Sequence, residues 1–379
     1  MIIMLAAVCA ARTASTINDC TSDKKNYYVA TNGSDSNDGS ACHPWATIQH
    51  ASKLSQPGWT VHVAPGTYYV SSLVTSTSGT SSARIRYISD TKWGAKLVGS
   101  GTEIIWEVDA SYIDIVGFDI TGPNRLGIMI GWSGSGSGNN HILNNNIHDL
   151  TVSAGCTGTG GAAIDTSFAP WGTGSNRIVG NRVANIGASM IGTCNSIQGI
   201  YIGSANDVVE NNIVSGVALA AIQQWHGATN STIVNNTVFH SNVGILIGDG
   251  DGGALPGGSA NNYVANNIAV NNAAIGIEEY GLVGSGNSYT NNLVWNNHTN
   301  YSLKTASPAG TVSSDPLFAN YQADGSGDYH LTSVSPAIDK GTSLRAPVND
   351  FGGGARPVGS TWDIGAYEEG TTPAAWPWQ

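Results

Sequence analysis

The chain has 379 residues, 41% apolar and 11% charged, with 15 basic against 26 acidic side chains and a net charge of −11. That is ample material for a core, but so few cations argue against nucleic acid or an anionic membrane as partner and weigh against a strongly polyanionic substrate. Forty-nine glycines and few long charged side chains suit strands and tight turns rather than helices.

Met1–Ala10 is a short apolar run followed by small residues, like the hydrophobic and cleavage regions of a secretory signal, although it lacks a basic leader. Residues 1–19 are assigned to this signal, which predicts a secreted protein. The run is too short to span a bilayer, so no transmembrane segment is expected. Val8 stands where a lipoprotein signal would put a small residue before Cys9. With Cys9 removed, Cys20/Cys42 and Cys156/Cys194 make two plausible disulfides for an oxidising compartment. Zinc is the alternative, and no Cys-x-x-Cys or paired histidine spacing supports it. Asn-x-Ser/Thr sequons begin at Asn32, Asn230, Asn235, Asn297 and Asn300, which a eukaryotic secretory host would be able to glycosylate.

Trp45–Leu54 carries the one amphipathic helical pattern, read as a cap over the open N-terminal end of a coil. Further along, a short apolar phrase recurs: an apolar residue, two variable ones, an asparagine, one more variable residue and an apolar residue. Its copies are Ile142-Leu-Asn-Asn145-Asn-Ile147, Ile178-Val-Gly-Asn181-Arg-Val183, Val208-Val-Glu-Asn211-Asn-Ile213, Ile233-Val-Asn-Asn236-Thr-Val238, Tyr263-Val-Ala-Asn266-Asn-Ile268 and Tyr289-Thr-Asn-Asn292-Leu-Val294. An earlier copy, Ile115-Val-Gly-Phe118-Asp-Ile120, has Phe118 where the asparagine column begins. A short strand at such a period marks a solenoid whose turns bury their apolar faces against their neighbours. Asparagines at each bend would hydrogen-bond from rung to rung, satisfying polar groups that the stacking buries. The alternative, asparagine-rich loops in an ordinary sandwich, does not require the repeat.

Between these phrases runs a second column at 127–132, 163–168, 199–204, 221–226, 244–249 and 276–281. Each segment has a small residue followed by isoleucine, which predicts an interior stack of Ile128, Ile164, Ile200, Ile222, Ile245 and Ile277. Alternation then turns Met129, Asp165, Tyr201, Gln223, Leu246 and Glu278 outward on one parallel sheet. The solenoid with its N-terminal cap occupies residues 20–313; residues 314–370 lose the repeat and are expected to cap the other end. Residues 371–379 read as a tail or linker.

Tyr27 to Ser40, Pro44 to His50 (PWATIQH) and Val61 to Tyr68 (VHVAPGTY) together resemble the opening of secreted right-handed parallel β-helix proteins of the polysaccharide lyase-like group, which includes pectate lyases. Asp328 to Gly341 and Asp363 to Glu368 resemble the end of the same group, so the resemblance covers nearly the whole chain. It implies an all-β, right-handed parallel β-helix solenoid with an N-terminal cap and an irregular C-terminal cap. It also implies an enzyme acting on a polysaccharide. The lysine that pectate lyases carry in an Asp-Gly-Phe-x-x-Lys context has no counterpart, and no lysine occurs between Met129 and Val294.

The candidate site is therefore read from stacking. Equivalent positions on adjacent rungs lie about 4.8 Å apart. His226 and Asp249 fall in one column on neighbouring rungs, a pairing that would orient the imidazole and raise its basicity. Tyr201, His226, Asp249 and Glu278 are the candidate catalytic residues. Gln223, Trp225, Tyr280 and Asp165 are the candidate substrate contacts, aromatic rings and amides being what a sugar groove requires. The inserts Thr151–Gly161 and Ala184–Ser196 fall beside them and would supply a wall. The bland reading is a solubilising sheet face with aromatics packed under a loop.

Two chemistries compete. A hydrolase needs carboxyls about 5 Å or 6.5–9.5 Å apart, whereas Asp249 and Glu278 are expected roughly 11 Å apart and Asp165 and Glu278 four rungs apart. A β-eliminating lyase needs a base, Tyr201 or His226, and a neutraliser of the uronate: calcium, or one of Arg125, Arg177 and Arg182. Asp249-Gly-Asp251-Gly is a possible calcium loop, and a metal-free turn suits the same residues. The expectation is a secreted, monomeric lyase acting on a polysaccharide. Glycoside hydrolysis, or a non-catalytic glycan-binding or cell-surface structural role, are the alternatives.

Overall fold

The computed structural model describes residues 25–377 except 102, 134–135, 154, 158–159, 167–173 and 251–256. Three long parallel sheets wind around one axis, of ten, nine and nine strands, with each strand hydrogen-bonded to its equivalent one turn away. A single turn runs from Arg177–Val179 on the first sheet to Arg182–Ile186 on the second and Ile197–Ile202 on the third. No helix among the described residues is long and apolar enough to cross a membrane.

The interior stack forms as the alternation predicts. Ile128 pairs with Ile164, Ile164 with Ile200, Ile200 with Ile222, Ile222 with Ile245 and Ile245 with Ile277. All six are buried in the core that runs the length of the coil. The register is fixed because a slip of one residue would send this whole column outward.

At the bend between first and second sheets the asparagine ladder is continuous, but two of its members differ from the sequence reading. The backbone N–H of Asn145 donates to Asn181 Oδ1 (2.9 Å), Asn181 to Asn212 (2.9 Å), Asn212 to Asn236 (2.9 Å), Asn236 to Asn267 (3.0 Å) and Asn267 to Asn292 (2.9 Å). Asn212 and Asn267 are the rungs, not Asn211 and Asn266. The reason is local: the residue before each ladder asparagine turns the chain through left-handed φ, 55° at Asn144, Asn211 and Asn266, 54° at Asn235, 52° at Asn291 and 66° at Gly180. Asparagine and glycine tolerate that conformation best, so in each Asn-Asn pair the first makes the turn and the second climbs the ladder. The Phe118 N–H starts the ladder, donating to Asn145 Oδ1 at 2.9 Å.

The helix over the N-terminal end is Ile48–Leu54, shorter than the pattern over Trp45–Leu54. Thr47 caps it by accepting from the His50 N–H, while Trp45 is held extended by hydrogen bonds with Tyr28 of the first strand, Asn26–Val29, and with Ala30 just after it. Ile48, Ala51 and Ser52 face the coil.

Residues 314–370 do not sit over the far end; they run along the outside of the second sheet. Tyr329, Leu331, Ala337, Phe351, Ile364 and Ala366 pack on Ile213, Phe239, Ile268, Val270 and Leu293. The turn asparagines hold this segment: Asn211 donates to Asn349 O, Asn235 to Asp363 O and Asn291 to Lys340 O. Beyond it, Trp376 of the expected tail donates to Ser89 O at 3.1 Å, back at an early rung. The physical cause is the apolar outer face of these rungs, which would otherwise face water. Leu303 and Ala306, continuing from the last rung, pack against the end of the interior core.

Candidate functional site

The outward face of the third sheet forms a groove of about 960 Å³. Its central column follows the register Met129↔Asp165↔Tyr201↔Gln223↔Leu246↔Glu278. Asp165, Tyr201, Gln223, Trp225, His226, Glu278 and Tyr280 all line it. The strand alternation that buries the isoleucines carries all of these but His226 to one surface, and a turn beyond the strand end adds His226.

At the centre, Tyr201 Oη and His226 Nε2 are 2.7 Å apart, with the rings edge to face. His226 follows the strand Ala220–Gln224 and takes a left-handed φ of 55°, with Gly227 at 68° after it. That turn lets the imidazole meet the phenol of the preceding rung. Asp165, half-buried next to Tyr201, has its carboxyl pushed up to about 7 by burial, with the Arg125 guanidinium pulling the other way. Burial also raises Glu278, opposed by Lys304.

Arg125 is the cation of the groove. Its Nε donates to Glu103 at 2.6 Å and its Nη1 to Gly160 O at 3.3 Å, and the guanidinium lies 5.4 Å from the centre of the Trp132 ring. The other two arginines considered are elsewhere: Arg177 pairs with Glu210 on the first sheet, and Arg182 donates to Gly325 O beside the second. At the opposite end Trp225 and Tyr280 stack, ring centres 6.1 Å apart and 21° from parallel. Gly248 sits between them in register, where a Cβ would come within 3.0 Å of the Trp225 ring. Apolar side chains complete the floor, Leu126 and Met129 on one side, backed by Ile104 and Ala162, and Val243 and Leu246 on the other, backed by Ala220.

One wall comes from the two inserts. A disulfide joins Cys156 to Cys194, with Cα atoms 5.5 Å apart, and Gly160, Gly161, Asn195 and Ser196 face the groove. Ser196 Oγ donates to Thr157 O at 2.8 Å, tying the inserts together a second time. The other expected disulfide, Cys20 to Cys42, has one end in view. Cys42 is exposed in the bend between the first strand and the helix, away from the groove, and Cys20 lies outside the described residues. The pairing of Cys42 with Cys20 is therefore an expectation from the sequence, and Cys42 does not line the groove.

Asp249 departs from the sequence reading. It has the parity of Ile245 and Ile247, is 2% exposed, and does not line the groove. Counted from the stacked isoleucines, His226 and Asp249 both have inward parity; His226 reaches the groove because its strand ends at Gln224 and the chain turns, while Asp249 is still on its strand. Asp251, its expected calcium partner, lies outside the described residues. Among the described residues no group of three or more His, Cys, Asp or Glu side chains could hold a metal. Sequence reasoning missed Trp132 and Gln198 as groove residues. Trp132 lies two residues beyond the strand Leu126–Ile130, as His226 lies two beyond Ala220–Gln224, so both enter the groove past a strand end, where alternation no longer places side chains.

The family described as Pel9A-like, right-handed β-helix region matches residues 27–314. A search among curated proteins finds no match. Among solved structures, pectate lyase Pel9A superposes with a TM-score of 0.60 at 16% identity, over 92% of this chain and 97% of its own. A rhamnogalacturonan lyase gives 0.56 at 16%, over 84% and 97%. An alginate lyase from Paenibacillus sp. str. FPU-7 gives 0.50 at 18%, over 76% and 95%. At these identities the likeness is one of fold.

Proposed function

The chain belongs to the Pel9A-like right-handed β-helix family, and from that premise we propose that it is a secreted polysaccharide lyase, cleaving a uronate-containing glycan by β-elimination in the groove of the third sheet. The observation that carries this reading is the 2.7 Å contact between Tyr201 Oη and His226 Nε2 within reach of a carboxyl held near neutrality and a guanidinium. In the reaction, the Tyr201–His226 pair takes the proton from C5 of the uronate. The C5–H electrons form the C4=C5 double bond, the C4–O4 bond breaks, and the leaving oxygen takes up a proton. Arg125 and the protonated carboxyl of Asp165 hold the uronate carboxylate, whose charge grows as C5 loses its proton. Gln223 supplies hydrogen bonds to ring hydroxyls, and Trp225 with Tyr280 stacks on a sugar face.

Hydrolysis fits the carboxyls less well. Asp165 and Glu278 are four strand spacings apart, about 19 Å, against the 5 to 9.5 Å that paired carboxyls need. The two lyases of the same fold, named for pectate and rhamnogalacturonan, support elimination by analogy.

Purified protein incubated with a panel of uronic-acid polymers tests the reading. Unsaturated product ends, detected by their ultraviolet absorbance, are the expected result. Reducing ends without that absorbance would mean hydrolysis, and retardation in an affinity gel with no product would mean a glycan-binding protein. In the active protein His226→Ala should lower turnover by about a hundredfold or more, since that is what a lost proton-transfer group typically costs.

A further inference from the structure

We propose that the polymer this groove accepts carries its carboxylates singly, spaced by neutral sugars, rather than on every residue. The inference rests on the elimination reading for its reaction, but its argument is the distribution of charge along the groove.

Between Leu126 and Leu303 the sequence contains two cations, Arg177 and Arg182. Arg177 is paired with Glu210 and Arg182 is turned to Gly325 and Asn146, away from the third sheet. The cations near the groove therefore stand at its ends. Arg125 precedes the strand Leu126–Ile130, and Lys304 follows the strand Thr299–Ser302, with its Nζ 5.7 Å from the Tyr280 ring centre and donating to Gly281 O. Those strands are six spacings apart, about 29 Å. A polymer charged on every residue would bring a carboxylate every ~5 Å, a sugar being about as long as one strand spacing.

Between the two ends no lysine or arginine lines the floor to pair with such charges. Leu219, Val243, Leu246 and Ile275 are apolar, and Trp225 and Tyr280 present ring faces. A carboxylate over this apolar stretch loses hydration without gaining a cation. Glu278 beside it adds like-charge repulsion, and burial already raises its own pKa. Neutral sugars meet the same surface favourably: their C–H faces cover the leucine, isoleucine and aromatic rings, while Gln198, Gln223, Asn195 and Asn242 take hydroxyls. One uronate at Arg125, Asp165 and Tyr201, followed by neutral residues toward Tyr280, is the arrangement the groove matches.

The test measures binding and turnover of the full-length protein on two sets of polymers: homopolyuronates (polygalacturonate, alginate) and polymers in which a uronate alternates with neutral or deoxy sugars. The expected result is at least about a tenfold preference in kcat/KM for the alternating set. A second variant, Leu246→Lys, places a cation mid-groove and is expected to narrow that preference by raising activity on homopolyuronates. Equal or better turnover of homopolyuronates by the unaltered protein overturns the inference, as does a Leu246→Lys protein that folds normally and leaves the ratio unchanged. If no polymer yields unsaturated ends, the elimination reading falls, and affinity electrophoresis on the same polymers decides this one. Stronger retention by the alternating set sustains it, and equal or stronger retention by homopolyuronates overturns it.

Discussion

Tyr201 and His226 come together through two small facts of backbone geometry. Parallel register sets Tyr201 beside Gln223, and the left-handed turn at His226 swings the ring back toward the phenol one rung below. Tyr201→Phe keeps the ring packing and removes only the hydroxyl. It should lower turnover by roughly 10²–10⁴-fold with little change in Tm, if the phenol transfers the proton; wild-type activity in that variant would move the base elsewhere. In the proposed reaction Asp165 is the group expected to set the alkaline limb of the pH profile. Its carboxyl, pushed up to about 7 by burial, holds its proton below that pH and loses it above. Activity that needs the protonated form should fall as pH rises through about 7. Asp165→Asn, which stays neutral, should flatten that fall in a kcat/KM profile; a variant with the same alkaline limb would assign it to another group.

At the scale of the element, each ladder asparagine serves several buried partners. Asn236 accepts from the Asn212 N–H and donates to Val209 O and to Asn267 Oδ1. Asn236→Ala leaves buried groups without partners on both adjacent rungs, a cost of about 2–5 kcal/mol from ~1–3 per group. Urea titration would measure it, and a loss within experimental error would make the ladder a passenger. The neighbouring ladder contains an acid: Asp207 Oδ1 accepts from the Asn176 N–H at 2.8 Å and Oδ2 from Ser204 Oγ at 2.8 Å. Burial raises its carboxyl from 3.8 to about 6. A raised carboxyl binds its proton more tightly folded than unfolded, so its burial costs nothing at low pH. The cost grows as pH climbs from about 4 to about 6 and is complete above that. Asp207→Asn should therefore raise Tm at about pH 7 while leaving it nearly unchanged at about pH 4. An equal shift at both values would show that the carboxylate charge is not the cause.

Over the whole molecule, the C-terminal segment couples rungs far apart in sequence. It covers Phe239, Ile268, Val270 and Leu293 on the second sheet and reaches Ser89 through Trp376. Ending the chain after Ser313 should expose that apolar face, lower Tm and give concentration-dependent association in light scattering. A truncated chain that stays monomeric with unchanged Tm would make the segment a dispensable addition. The groove lies on the third sheet, on a different face of the coil, so a truncated protein that folds should still bind its glycan.

The isoleucine column, the outward column and the recurring bends were legible in the sequence because each is a consequence of short period. Strand alternation and a repeating turn act on a few neighbouring residues, and a parallel coil copies that local result from rung to rung without altering it. Asp165, Tyr201, Gln223, Trp225, Glu278 and Tyr280 reach the groove by parity alone. What parity could not reach was anything decided where strands stop. The second asparagine of each pair, not the first, climbs the ladder because a left-handed residue must precede it. His226 meets Tyr201 because the chain turns after Gln224, whereas Asp249 shares the inward parity of Ile245 and Ile247 on its own strand. The C-terminal segment lies along the side rather than over the end because the outer face of the second sheet is itself apolar, and which of several exposed surfaces a non-repeating segment covers depends on the apolar area available after the coil has formed.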